Sequence, residues 1–367
     1  MSEDAPLRAS LARLIRTGGP ITIARYMAEA LGHPTHGYYR RADPLGAAGD
    51  FITAPEISQM FGELLGLWAV ACWHQIGAPA PVLLVELGPG RGTLMADALR
   101  AARAAAPAFC DAAAIHLVET SPVLRARQAE RLATDKQGAR ITWHDRLDSV
   151  PDGPMILLAN EFFDALPIHQ FVRQADGWHE RLVGLQAGAL VPVLSAAPSP
   201  AATALPDTIH DRPPGAIGEV CPAGLALVRE IAARLTAHGG AALIIDYGPA
   251  ASAPGDSLQA VRRHRYVDVF AEPGLADLTA HVDFAALAGA AEKAGARAHG
   301  PRPQGHFLGA LGLAERARRL RANATPAQAR DIEAAMRRLA GEREMGALFK
   351  ALALTGPSQP PPAGFEP

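Results

Sequence analysis

Short apolar runs that end in glycine or in an acid recur along this chain, separated by stretches with helical spacing. Val82-Leu83-Leu84-Val85-Glu86-Leu87 runs into Gly88-Pro89-Gly90-Arg91-Gly92, and residues 93–100 continue with helical periodicity. That pattern predicts a buried strand, a tight loop and a helix, the opening half of a βαβ unit. Further strands are predicted at 115–119, at 141–145, over 155–159 leading into Asn-Glu-Phe-Phe-Asp, and at 241–248 ending in Asp-Tyr-Gly. Such strands, apolar throughout and interleaved with helices, belong to a parallel sheet covered on both faces.

Around this frame the pattern changes. Leu7, Leu11, Leu14 and Ile15 mark one face of an N-terminal helix that Gly18-Gly19-Pro20 stops, and Thr22 is placed to cap a second helix over 23–31. A glycine-rich loop with aromatics and acids spans 33–56, and a long apolar helix is predicted over 57–76. Alternation over 168–193 reads as a hairpin, and the Pro/Ala-rich residues 195–215 as a solvent-exposed insertion. A helix follows from Pro222 to about 235, and another over 284–294 with Asp283 as its cap. Helices are predicted at 314–320 and 326–339, a last edge strand at 351–354, and a tail beyond.

Composition narrows the function classes. At 367 residues the chain can bury one large α/β core with additions, or two modest domains. The net charge of −2 leaves no electrostatic footprint for nucleic acid or an anionic membrane. Three scattered cysteines, Cys72, Cys110 and Cys221, with no Cys/His cluster, support neither a disulfide framework nor a zinc site and point to a reducing compartment. The apolar runs are too short to span a bilayer, the N-terminus shows no secretory core, and Glu3 and Asp4 argue against a transit peptide. Basic residues are nearly all arginine, and 262–265 form a local basic cluster that suits either a solvated face or an acidic partner.

The candidate chemistry gathers where the strands end. Gly88, Gly90 and Gly92 let backbone approach a ligand, and the helix after them favours negative charge at its start. Glu86 and the G-x-G-x-G spacing favour S-adenosylmethionine, whose ammonium needs an acceptor, over a dinucleotide; the alternatives are a dinucleotide site or a turn without ligand. Glu119 stands where a ribose diol is held, or near a helix start. Asp145 would meet the adenine amino group or begin a turn. Asn160, Glu161 and Asp164 suit substrate or donor contacts, with helix capping as the alternative, and Asp246 stands at the same crevice edge.

Taken together, Gly49-Asp50-Phe51-Ile52-Thr53-Ala54-Pro55-Glu56-Ile57-Ser58, Glu86-Leu87-Gly88-Pro89-Gly90-Arg91-Gly92-Thr93, Asn160-Glu161-Phe162-Phe163-Asp164-Ala165-Leu166-Pro167, Asp246-Tyr247-Gly248 and Asp277-Leu278-Thr279 resemble the MidA family. These are class I S-adenosylmethionine-dependent methyltransferases that include the mitochondrial complex I assembly factor 7 group. The resemblance implies an α/β Rossmann-like fold with a mostly parallel seven-stranded sheet, an N-terminal helical cap and inserted β-hairpin and helical elements. The expected organisation is a cap and cofactor-covering loop over 1–78, a core over 79–356 with insertions at about 166–220 and 249–282, and a disordered tail over 357–367. The resemblance places cofactor contacts at Thr53, Gly88, Gly90, Arg91 and Glu119. Asn160 departs from the histidine of the animal members, so it is given no proton-transfer role.

The expected activity is methyl transfer from S-adenosyl-L-methionine to an arginine of a protein, with a core subunit of respiratory complex I as the substrate implied by the resemblance. Glu161 and Asp164 are the candidate carboxylates for the guanidinium, with Asp50 and Asp246 behind them. A non-catalytic assembly chaperone and a dinucleotide-dependent oxidoreductase are the alternatives. No nucleic-acid partner and no integral membrane segment are expected; the oligomeric state is open, a homodimer being one option. The compartment would be the cytoplasm in a bacterium and the mitochondrial matrix in a eukaryote.

Overall fold

Seven strands form one sheet in the computed structural model, which describes residues 6–41, 53–133 and 141–366. They are β1 (Val82–Leu87), β2 (Ala113–Val118), β3 (Ile141–His144), β4 (Met155–Asn160), β5 (Gly240–Tyr247), β6 (Arg297–Pro303) and β7 (Phe349–Thr355). Their order across the sheet is β3-β2-β1-β4-β5-β7-β6. All neighbours pair parallel except β7, which runs antiparallel to both β5 and β6. Every residue of β1 is buried, as the unbroken apolar run predicts for a strand covered on both faces.

The chain divides into two compact units, and this sheet belongs to the one formed by Ile52–Phe163, Leu227–Ala250 and Leu287–Pro367. Its core joins the sheet to helix α1 (Gln59–Gln75) and helix α2 (Thr93–Ala105) through Phe61, Trp68, Leu84, Met95, Ile156 and Leu243. The apolar helix expected over 57–76 is interrupted: Ser58 is extended and its hydroxyl accepts the Met60 amide at 3.2 Å, so α1 starts at Gln59 after a short helix Ala54–Ile57. Helix α3 (Pro122–Leu132) follows β2, with Ser121 as its cap.

The other unit holds Met1–Phe51, Asp164–Ala226 and Ala251–Ala286. Strands His169–Gln174, Gly177–Gln186 and Ala189–Leu194 pair in succession, so the expected hairpin is a three-stranded meander; Ile21–Thr22 and Ile217–Val220 extend its sheet. Thr22 caps the helix Ile23–Gly32 as predicted, accepting the Arg25 amide at 3.0 Å. The helices Pro6–Gly18 and Ile23–Gly32 bury Leu7, Leu11, Tyr26 and Met27 beside Val183 and Leu278.

Three further expectations are corrected, and one strand was not expected. The segment 195–215 is not simply solvated: Ala202, Leu205 and Ile209 turn inward against Phe171 and Trp178, because its sparse apolar residues are spaced to meet one face of the meander. The strand at 351–354 is longer and interior, lying between β5 and β6. Strand β6 itself escapes the sequence because Pro301 and Pro303 interrupt its alternation, which only an edge strand tolerates. Residues after Gly356 are packed where a disordered tail was expected: the Phe365 ring lies tilted against that of Phe307, centroids 5.2 Å apart, and Arg302 donates to the carbonyls of Gly364 and Glu366.

Candidate functional site

After β1 the chain crosses to β2 and β3 on one side, whereas β4 and β5 lie on the other. The carboxyl ends of β1 and β4 therefore flank the switch point where open α/β sheets bind ligands. The loop leaving β1 is built from backbone that side chains resist. Gly88, Gly90 and Gly92 have φ of 60°, 52° and 77°. A Cβ on Gly88 would lie 2.7 Å from Cδ2 of Phe162, in the loop after β4. Replacing Gly88 by alanine is expected to displace that ring and reduce cofactor affinity by about 10-fold or more, measured calorimetrically with S-adenosyl-homocysteine.

The described part of the loop before α1 reaches this turn. Glu56 accepts the Thr93 hydroxyl and lies 3.8 Å from the Arg91 guanidinium, tying the helix Ala54–Ile57 to both residues flanking Gly92. In the sequence Glu56 carries no signal of its own beyond its place in Ala54-Pro55-Glu56-Ile57-Ser58. Thr53 occupies the N-cap position of the same short helix without a side-chain capping bond. Asp50 lies outside the described residues.

Among the described residues, two buried acceptors at the ends of β1 and β4 have no hydrogen-bond partner. Glu86 is 3% exposed, and its Oε2 meets no donor. Burial, with the negative charge of Glu119 adding to it, pushes its carboxyl up to about 8. At the end of the neighbouring β4, the Asn160 amide donates to Glu161 Oε1 at 3.0 Å, which leaves its Oδ1 as a second buried acceptor without a donor among the described residues. Buried polar atoms are normally paired, so these two point to a ligand rich in donors.

Glu119 follows β2. Its Oε1 accepts the Ser121 amide at 2.8 Å and its Oε2 accepts from Gln128 at 3.3 Å. Burial raises its carboxyl, with these donors opposing. The helix-start alternative is thus also realised, since Ser121 caps α3. Asp145, after β3, is exposed and bound by Arg125 at 2.8 Å.

Glu161 is the strained member. It is a non-glycine residue in left-handed backbone, φ 50°, directly after β4. Its Oε1 accepts the Ala54 amide at 2.8 Å as well as the Asn160 amide, and its own amide donates to the Ile245 carbonyl at 2.9 Å. Burial raises its carboxyl above the ordinary range, against those hydrogen bonds and the Arg338 charge. Asp246, fully buried at the end of β5, serves the same turn: Oδ2 accepts the amides of Phe162 and Phe163 at 3.2 and 2.9 Å, and Oδ1 that of Tyr247 at 2.9 Å. Its carboxylate is thus engaged in holding the Glu161 loop.

Asp164 belongs to the other unit, where its carbonyl accepts the Ala280 amide at 2.9 Å. There Tyr39 donates to Asp277 at 2.8 Å, and burial, then the charges of Asp277 and Asp164, push the phenol well above its ordinary value. The sheet unit thus brings together Thr53, Glu86, Gly88, Gly90, Arg91, Glu119, Asn160, Glu161 and Asp246.

A sheet of this order, with a glycine turn at its switch point and acids at the ends of its first two strands, is that of the class I methyltransferases. A solved structure of a Burkholderia thailandensis protein bound to S-adenosyl-homocysteine superposes with a TM-score of 0.80 at 32% identity, covering 98% of this chain and 92% of that one. A family model of S-adenosyl-L-methionine-dependent methyltransferases matches residues 64–302. The mitochondrial protein arginine methyltransferase NDUFAF7 of Xenopus tropicalis is 37% identical over 378 residues, 96% of this chain and 87% of the relative. The human NDUFAF7 is 39% identical, over 84% of this chain and 74% of its own length. The chain belongs to this family of S-adenosyl-L-methionine-dependent methyltransferases, in agreement with the MidA resemblance, and the dinucleotide alternative falls. The donor set fits the cofactor: unpaired buried acceptors suit a methionine ammonium, and the Glu119 carboxylate suits a ribose diol. Among the described residues no helix is long and apolar enough to cross a membrane.

Proposed function

We propose that this methyltransferase modifies an arginine side chain of a protein substrate, a core subunit of respiratory complex I or its bacterial quinone-reductase counterpart. Support for arginine comes from the relatives, which are named protein arginine methyltransferases. Within the chain, the observation that carries the reading is Glu161: a half-buried carboxylate of raised pKa, fixed in a strained turn at the switch point. Guanidinium is a cation and a poor nucleophile, so it needs a carboxylate to localise its charge and take its proton.

In this reading Glu86 and Asn160 receive the methionine ammonium, Glu119 the ribose hydroxyls, and the backbone of Gly88 and Gly90, with Arg91 and Thr53, lines the donor. When bound, S-adenosylmethionine supplies an electrophilic methyl group. Glu161 would hydrogen-bond the attacking nitrogen and accept the proton that nitrogen gives up on methylation. Asp246 acts through the loop it holds and touches no substrate. No step is routed through Asp164, and Asp145, engaged by Arg125, is given no adenine contact. The compartment follows the host, the cytoplasm in a bacterium and the mitochondrial matrix in a eukaryote.

The test is mass spectrometry of quinone-reductase subunits from cells with and without this chain. The reading expects a methylated arginine that disappears with the gene and returns with the wild-type copy. Identical arginine methylation in both strains would overturn the substrate.

A further inference from the structure

Helix α3 presents a buried line at Leu124, Gln128 and Leu132, one face at four-residue spacing. The middle residue is an amide between two leucines, and none of its surface is exposed. Burying an amide is costly unless its hydrogen-bonding groups are used. Here the Trp143 indole donates to Gln128 Oε1 at 2.8 Å, while Nε2 donates to the Gly90 carbonyl at 2.7 Å and to Glu119 Oε2 at 3.3 Å. An indole only donates, so it fixes which end of the amide accepts and turns the nitrogen toward the glycine loop and the carboxylate. The helix also abuts the loop directly, since a Cβ on Gly92 would stand 3.4 Å from Cα of Gln128.

We propose that Gln128 is the positioning residue that fixes the carboxylate of Glu119 relative to the glycine loop and thereby sets selectivity for a ribose hydroxyl. The inference rests on the reading of Glu119 given above. One amide nitrogen bridges a loop carbonyl after β1 and a carboxylate oxygen after β2, so the two ligand-facing segments keep a common register. Its donation also favours the charged form of Glu119, against burial, and a charged oxygen is the stronger acceptor for ribose. Glutamate at 128 would place an acceptor against two acceptors, and methionine would fill the volume while leaving the Gly90 carbonyl and the indole unpaired.

The experiment compares calorimetric binding of S-adenosyl-homocysteine and its 2′-deoxyribose analogue to wild type, Gln128→Met and Trp143→Phe. Wild type is expected to bind the deoxy analogue about 10-fold or more weakly than the parent. In Gln128→Met that ratio is expected to fall to about 3-fold or less, with Trp143→Phe between the two. A merely structural role would weaken both ligands equally and leave the ratio unchanged; that result overturns the inference, and Trp143→Phe decides if Gln128→Met does not fold. A wild-type protein that fails to distinguish the two ligands overturns the ribose reading of Glu119, and this inference with it.

Discussion

Replacing Glu161 by glutamine is expected to lower methyl transfer by about 10²–10⁴-fold, with the affinity for S-adenosyl-homocysteine changed by no more than about 3-fold. The substitution is chosen for what it preserves. Glutamine keeps an oxygen where Oε1 accepts the Ala54 and Asn160 amides, so the strained turn after β4 retains its anchors. It removes the negative charge that would localise a guanidinium and the oxygen basicity that would take its proton. The folded-state pKa of Glu161 is raised by burial, so its ionised form carries a stability cost that grows as pH rises above the unfolded value. The variant is therefore expected to melt no lower than wild type at pH 8. Single-turnover assays with labelled donor, beside calorimetry, separate these effects; normal turnover with normal cofactor binding would remove Glu161 from the chemistry.

The second large effect concerns Glu86 and pH. With its carboxyl pushed up to about 8, the cofactor-free protein holds a proton there at neutral pH. A cationic donor favours the ionised form, so affinity for S-adenosylmethionine is expected to tighten as pH rises from 6 toward 8, approaching roughly 10-fold per unit, and to level off above. At pH 7 binding then releases close to one proton, read from the dependence of the observed enthalpy on buffer ionisation heat. The sign for stability is opposite. The unfolded chain ionises near 4.5 while the folded one does so near 8, so the cofactor-free fold loses stability across that interval as pH increases. Glu86→Gln should flatten both profiles and raise cofactor-free stability at pH 8 by up to roughly 4 kcal/mol. An affinity that does not change with pH in the wild type would show that the donor does not engage this carboxylate.

The parts of the site that share one short segment are legible in the sequence. The glycine turn after β1, Glu119 after β2 and the Asn160-Glu161 pair after β4 each follow an apolar strand, and the ends of parallel strands meet by topology alone. What is not legible there depends on partners far away along the chain. Asp246 reads as a crevice acid, but its Oδ2 is taken by amides more than eighty residues earlier and its Oδ1 by that of Tyr247. Gln128 carries no local signal either, since nothing near it in the chain names Gly90 or Trp143 as its partners. Glu56 likewise gains meaning only when Thr93 and Arg91 are placed beside it.

The antiparallel strand β7 has a bearing on how the protein is made. It is inserted between β5 and β6, yet it follows both in the chain. Until residues 349–355 have left the ribosome, β5, which itself carries Asp246, presents a bare hydrogen-bonding edge. Such an edge invites pairing with other nascent chains. Closure of the sheet thus comes late in synthesis, and a message cut short before codon 349 would yield a product that aggregates rather than a smaller enzyme.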